Sequence, residues 1–155
     1  MFGPRMPPAT VDLFRWQDLI AYLVTHHVDV RTFPGDRLRM TYRHEGRAIP
    51  FGGYILRAPS GAAWLVVAIK LCADLELRPR PALVANSDLP VGTISLLAKF
   101  GVVRQSLPLE GLRSDHLELV LAALSKLSVE LRAGYGDAQP ALLEDDDSPY
   151  AYIYR

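Results

Sequence analysis

Two stretches of the chain carry apolar residues at helical spacing. Between residues 11 and 26 these residues return every three or four positions, which predicts an amphipathic helix with Thr10 as its N-cap. Between Ser114 and Gly134 a longer stripe, mostly of leucine, predicts a second helix. Ser114 is the expected N-cap of that helix, and Gly134 is the glycine expected to end it.

Other stretches show the patterns of β-strands. Residues 37–43 alternate between apolar and basic or polar side chains, which predicts a half-buried strand. Residues 48–56 predict a second strand, with a bulge or bend at Gly52–Gly53. The nearly continuous apolar run over residues 62–75 favours a central strand, although its periodicity alone leaves a helix open.

The remaining elements follow from breaks and turns. A short helix is predicted over residues 82–87, then strands over 93–99 and 102–109 that reverse at Phe100–Gly101. The predicted fold class is therefore α+β: helix, three strands, short helix, two strands and a long helix, with an antiparallel sheet packed against the helices.

The length of 155 residues favours one domain. We expect an irregular lead-in over residues 1–10, a single α+β domain over 11–134, and an acidic, tyrosine-rich tail over 135–155. The acidic run 144–147 favours a solvated linker, and recruitment of a basic partner or a cation is the alternative. Tyr150, Tyr152 and Tyr154 alternate as in a strand that adds to a sheet edge.

The charge balance bears on partners and compartment. The 17 basic and 17 acidic residues cancel, so we expect neither nucleic acid nor a membrane as partner. The lone Cys72 and the prolines near the N-terminus, where a signal peptide needs an unbroken apolar run, predict a cytoplasmic protein.

No arrangement of reactive residues predicts an enzyme. His26–His27 beside Asp29 are expected to interact with a helix C-terminus rather than hold a metal, because neighbouring helical residues point about 100° apart. His44 and His116 each lie beside a carboxylate without a nucleophile tied to them by any motif. We therefore predict no catalytic residues, no metal and no cofactor, and we expect Cys72 to be a small core residue.

Binding surfaces are the stronger expectation. Arg37, Arg39 and Arg43 share one strand face, either as a solvated surface or as a site for an acidic peptide or a phosphate backbone. Both long helices carry more apolar residues than one sheet covers, which predicts a homodimer interface or a partner groove. The surplus residues are Leu119, Ala122, Ala123 and Val129 in the last helix and Phe14 and Leu19 in the first.

Three short motifs carry a family resemblance. They are Ala85–Gly92 at the end of the short helix, Arg104–Leu109 in the last strand, and Glu110–Leu112 at the corner that follows. With the element order, they resemble the type III secretion chaperone-like fold, which Tir-type chaperones and YbjN-like proteins share. This resemblance implies a small homodimer that binds extended segments of a partner protein without a cofactor.

The leading prediction is thus a non-enzymatic adaptor or chaperone that binds a partner protein, or a secreted client, through helix faces and strand edges. One alternative is a YbjN-like regulatory module in signalling or stress response. A second is a structural subunit of a larger assembly, anchored by the tyrosine-rich tail. The third is an enzyme that uses His44 or His116.

Overall fold

The computed structural model describes residues 10–73, 79–97 and 100–135, and nine helices and strands lie in these ranges. The helices are α1 (Trp16–His26), α2 (Pro79–Asn86) and α3 (Ser114–Tyr135). The strands are β1 (Val28–Phe33), β2 (Arg37–His44), β3 (Arg47–Arg57), β4 (Ala63–Ala73), β5 (Thr93–Leu97) and β6 (Phe100–Pro108).

The strands form one antiparallel sheet in the order β1-β2-β3-β4-β6-β5. The α+β class and the antiparallel sheet are therefore confirmed, and the apolar run beginning near residue 62 is the central strand β4. Among the described residues, four strands and not three precede the short helix. The additional strand, β1, was missed because most of its residues are exposed and a bulge between Val28 and Arg31 disrupts its alternation.

One face of the sheet packs against the helices. Alternate residues of the strands point to this face, where leucines of α1 and α3 cover them. Large, fully buried side chains of both layers meet there, among them Phe51, Leu38, Leu65, Ile69, Leu19, Leu117, Leu121 and Leu124. We call the opposite side, which is turned away from these helices, the outer face.

The helix termini differ from the sequence prediction. Helix α1 begins at Trp16 rather than after Thr10, and its N-cap Arg15 makes no side-chain cap. Residues 11–13 instead pair with the corner before α3, where the Val11 amide donates to Ser114 Oγ at 2.8 Å. Helix α3 already includes Ser114 and continues through Gly134 to Tyr135, so neither residue has its expected role.

Two turn predictions were also wrong. The ladders of β3 run without a register shift through Gly52 and Gly53, so these glycines mark no bulge. A Cβ atom on Gly53 would lie 3.1 Å from Leu38 Cγ, so close packing accounts for the glycine. Phe100 and Gly101 are the first two residues of β6 and pair with Leu97 and Leu96 of β5, so they do not form the reversal.

Candidate protein-binding surfaces

The residues predicted to form an interface lie in different environments. Leu19 is fully buried in the core, Ala122 and Ala123 are half-buried, and Val129 packs against the core from its edge. Leu119 and Phe14 are exposed, at 68% and 49%. These six residues therefore do not form one exposed surface. The three tyrosines Tyr150, Tyr152 and Tyr154 lie outside the described residues.

A group of exposed apolar residues lies where α2 packs beside β5. Leu83 and Val84 of α2 are 71% and 61% exposed, and Leu96 of β5 is 57% exposed. We call these three residues the α2–β5 corner. Isolated exposed leucines are common, whereas several on adjacent elements are typical of an interaction site. Sequence reasoning missed the corner because α2 is too short for its exposed side to be distinguished from its buried one.

The outer edge of β5 is partly closed by a side chain. Asn86, at the end of α2, accepts a hydrogen bond from the Ile94 amide at 2.7 Å and donates one to the Ile94 carbonyl at 3.1 Å. The backbone amide and carbonyl of Ile94 therefore point away from β6. Because these directions repeat every second residue in a regular antiparallel ladder, the backbone amide and carbonyl of Leu96 also point away from β6. Asn86 occupies one of these two edge positions, which limits the room for an added strand.

The other edge strand, β1, is protected differently. Asp29 adopts a φ of +54° in the bulge, which twists this edge away from regular pairing. Charged side chains of Asp29 and Arg31 also lie along it. Among the described residues, neither sheet edge therefore offers a long, flat row of unpaired backbone groups.

The outer face of the sheet is basic. The six strands hold eight arginine or lysine residues and one acidic residue, Asp29. Six of the eight basic residues point to the outer face, as the pairing register shows. They are Arg31, Arg37, Arg39, Arg43, Lys70 and Arg104. The expected grouping of Arg37, Arg39 and Arg43 on one face is thus present, and the tertiary fold extends it across four strands.

The central residues of this outer face are apolar and buried. Val66, Ala68 and Val102 are each 0% exposed, although these residues point away from the helix-covered core. Ala68 and Val102 belong to a second apolar cluster in which all described members come from strands. Lys70 is 2% exposed, and its Nζ atom lies 4.1 Å from the centre of the Phe100 ring, a cation–π contact.

A polar cluster joins α1, β2 and α3. Glu118 Oε1 lies 2.6 Å from His27 Nε2 and accepts a hydrogen bond from the Tyr22 hydroxyl at 2.7 Å. The rings of Tyr22 and Tyr42 flank His27 at centroid distances of 6.4 Å and 5.4 Å. Because His27 and Glu118 are 91 positions apart, no local motif predicts this contact.

The electrostatics of this cluster favour an ionised Glu118. Burial raises the pKa of Glu118, but the hydrogen bonds from His27 and Tyr22 and the nearby histidines outweigh burial, so the net pKa is lowered. Burial, followed by the hydrogen bond and charge of Glu118, raises the pKa of Tyr22. Tyr22 therefore keeps its proton and acts as a donor that holds the carboxylate in place.

A groove of about 280 Å³ opens beside this cluster and is lined by parts of α1, β1, β2 and α3. Its described lining residues are His26, His27, Val28, Thr41, Tyr42, Arg43 and Glu118. They include no serine or cysteine that His27 could activate as a nucleophile. In residues 10–73, 79–97 and 100–135, no group of three or more histidine, cysteine or acidic residues could hold a metal ion.

The two histidines considered for catalysis, His44 and His116, make fewer side-chain hydrogen bonds than His27 does. His44 Nε2 is buried, lies 3.8 Å from Glu45 Oε1 and makes no hydrogen bond among the described residues. His116 is exposed in the first turn of α3, where its backbone amide donates to Asp115 Oδ1. These two sites lie on separate elements, and neither contact supplies an activated nucleophile.

Comparison of the chain with protein-family models, curated proteins and solved structures finds no match. None of the described helices is both long enough and apolar enough to cross a membrane. The resemblance to chaperone-like proteins therefore stays a prediction, and the surfaces described above are the basis for assigning a role.

Proposed function

We propose that this protein is a non-enzymatic, protein-binding adaptor or chaperone whose binding surface is the α2–β5 corner. The observation that carries the proposal is the exposure of Leu83, Val84 and Leu96 on two elements that pack against each other. Burying a fully exposed leucine or valine contributes about 1.5–3 kcal/mol, so three such residues supply the apolar centre of a small interface.

The chain anchors this corner firmly. Asn86 ties the end of α2 to β5 through its two bonds to Ile94, and the Gly92 amide donates to Gln105 Oε1 of β6 at 2.8 Å. A surface that is held in place before binding loses little conformational entropy when a partner docks. The corner therefore has the rigidity that a protein-binding site needs.

Binding through the exposed face of α2 fits this corner better than addition of a partner strand to the edge of β5. Asn86 already occupies the outward backbone groups of Ile94, so an incoming strand would have to displace it. An extended apolar segment of a partner could instead lie across Leu83 and Leu96 without breaking those hydrogen bonds. The binding energy would come mainly from apolar burial. Hydrogen bonds to the backbone amide and carbonyl of Leu96 would set the orientation of the bound segment.

The test compares two charged substitutions at equally exposed leucines. Leu83→Asp places a carboxylate in the corner, and Leu119→Asp places one on α3, at 71% and 68% exposure in the native protein. Each purified protein is added to a heat-unfolded model protein, and suppression of its aggregation is followed by light scattering. Sedimentation equilibrium in parallel reports whether a second copy occupies the corner.

We expect the native protein and Leu119→Asp to suppress aggregation and Leu83→Asp to lose most of that activity. Circular dichroism should give the same spectrum for all three, because both sites are on the surface. Loss of a native dimer in Leu83→Asp alone would identify the second copy as an occupant of the corner. No suppression by the native protein, or equal suppression by Leu83→Asp, would contradict the proposal.

A further inference from the structure

We propose that the outer face of the sheet is the docking site for an acidic, tyrosine-rich segment of this same chain, residues 144–154. Docking of that segment would close the basic face to other polyanions. This inference does not depend on the role proposed for the α2–β5 corner, because Leu83, Val84 and Leu96 do not belong to the outer face.

The first argument is charge complementarity. Residues 136–155 hold five of the 17 acidic residues and one of the 17 basic ones. The rest of the chain therefore carries 16 basic and 12 acidic residues, a net charge of +4 that the segment cancels. On the described strands this excess of positive charge is concentrated on the outer face, to which six basic residues point. The one acidic residue of these strands is Asp29, whose carboxylate lies near Thr41.

The second argument is burial. A sheet face that is open to water usually shows polar or partly exposed residues at its centre. Here Val66, Ala68 and Val102 are fully buried, and no described helix contributes to the apolar cluster that Ala68 and Val102 form. Tyrosines suit such a face, because their rings can cover apolar residues and stack on arginine while their hydroxyls stay in water.

The third argument is reach. The last described residues of α3 lie beside the central strand, since Arg132 donates two hydrogen bonds to the Lys70 carbonyl, at 2.8 and 3.3 Å. From Tyr135 to Glu144 is nine residues, which span up to about 30 Å when extended. Because α3 covers the opposite face, the segment must also pass around the sheet, which takes about 10 Å. Neighbouring strands are about 4.8 Å apart, so about 30 Å of chain is still enough to bring residues 144–147 to Arg104 on β6 or Arg39 on β2.

The test uses the full chain with the acidic run neutralised as E144Q/D145N/D146N/D147N. Its control, D18N/D88N/E110Q/E130Q, removes four exposed carboxylates elsewhere and reaches the same net charge. Binding of a labelled random-sequence DNA duplex, used as a polyanion probe, is measured by fluorescence anisotropy at 50 and 200 mM salt.

We expect the neutralised segment to open the outer face. That variant should bind the duplex about tenfold or more tightly than the native and control proteins at 50 mM salt. If four arginines contact phosphates, its affinity should fall about a hundredfold between 50 and 200 mM salt. Adding R39Q/R104Q to the same variant should remove most of the gain.

Two results would overturn the proposal. Equal gains in the neutralised variant and its control would show that net charge alone governs binding. Tight binding by the native protein would show that the face is open and that nucleic acid, not the chain's own segment, is its ligand.

A second measurement reports proximity directly. Carbodiimide joins an amine to a nearby carboxylate, and Arg39→Lys introduces an amine on the outer face without changing its charge. Mass spectrometry of the monomer should then find the lysine introduced by Arg39→Lys joined to residues 144–147. Lys126, exposed on α3, is the internal control. Links from those carboxylates to Lys126 but not to position 39 would contradict the proposal.

Discussion

Gly92→Ala should be one of the most damaging single-methyl changes in this chain. Gly92 has a φ of +76°, and a Cβ atom there would lie 2.8 Å from Leu124 Cδ2 and 3.0 Å from Val103 Cγ2. The left-handed backbone costs an alanine about 1–2 kcal/mol, and overpacking adds about 1–3 kcal/mol. We therefore expect a loss of about 2–5 kcal/mol in the free energy of unfolding.

Gly111→Ala is the matched control for this change. Gly111 has the same φ of +76°, but a Cβ atom there would meet nothing within 4 Å. Gly111→Ala should lower the free energy of unfolding only by the cost of the left-handed backbone, about 1–2 kcal/mol. Urea unfolding followed by circular dichroism measures both. Equal losses in the two variants would refute the close packing of the turn before β5 against α3.

Two other predictions concern Glu118 and Asn86. Because the folded-state pKa of Glu118 is lowered, its stabilisation should be present above about pH 4.5 and disappear as the pH falls through that lowered pKa. Glu118→Gln should therefore flatten the acidic part of the plot of unfolding free energy against pH. Glu130→Gln, at an exposed site on α3, is the control and should leave the plot unchanged. A plot that Glu118→Gln does not change would contradict the stabilising role of the Glu118 carboxylate. Asn86→Ala should cost about 1–3 kcal/mol and also increase self-association in light scattering, because it frees the Ile94 edge groups. Stability and mass equal to those of the native protein would contradict the bracing role of Asn86.

Much of the fold could be predicted from local pattern. The alternation of Leu38, Met40 and Tyr42 and the apolar run of β4 identify strands because both patterns report burial. The errors occurred where tertiary contacts decide the local structure. Ser114, for example, is a good N-cap residue, but its hydroxyl instead accepts a hydrogen bond from Val11, 103 positions away.

The candidate surfaces were harder to predict because exposure depends on packing between distant elements. Leu19 and Leu119 look equivalent in sequence, yet one is fully buried and the other is 68% exposed. The basic outer face was recognised only along β2, since Lys70 and Arg104 join it through the strand order and not through their positions in the chain. Residue spacing within one element cannot provide that information.

Hydrogen–deuterium exchange tests the proposed role of the α2–β5 corner most directly. The native protein is exchanged alone and in the presence of the unfolded model protein, and peptides covering residues 82–97 and 114–125 are compared. We predict slower exchange in the first peptide, which contains Leu83 and Leu96, and no change in the second, which contains Leu119. Slowing confined to the second peptide, or no slowing in either, would contradict the claim that this corner binds protein.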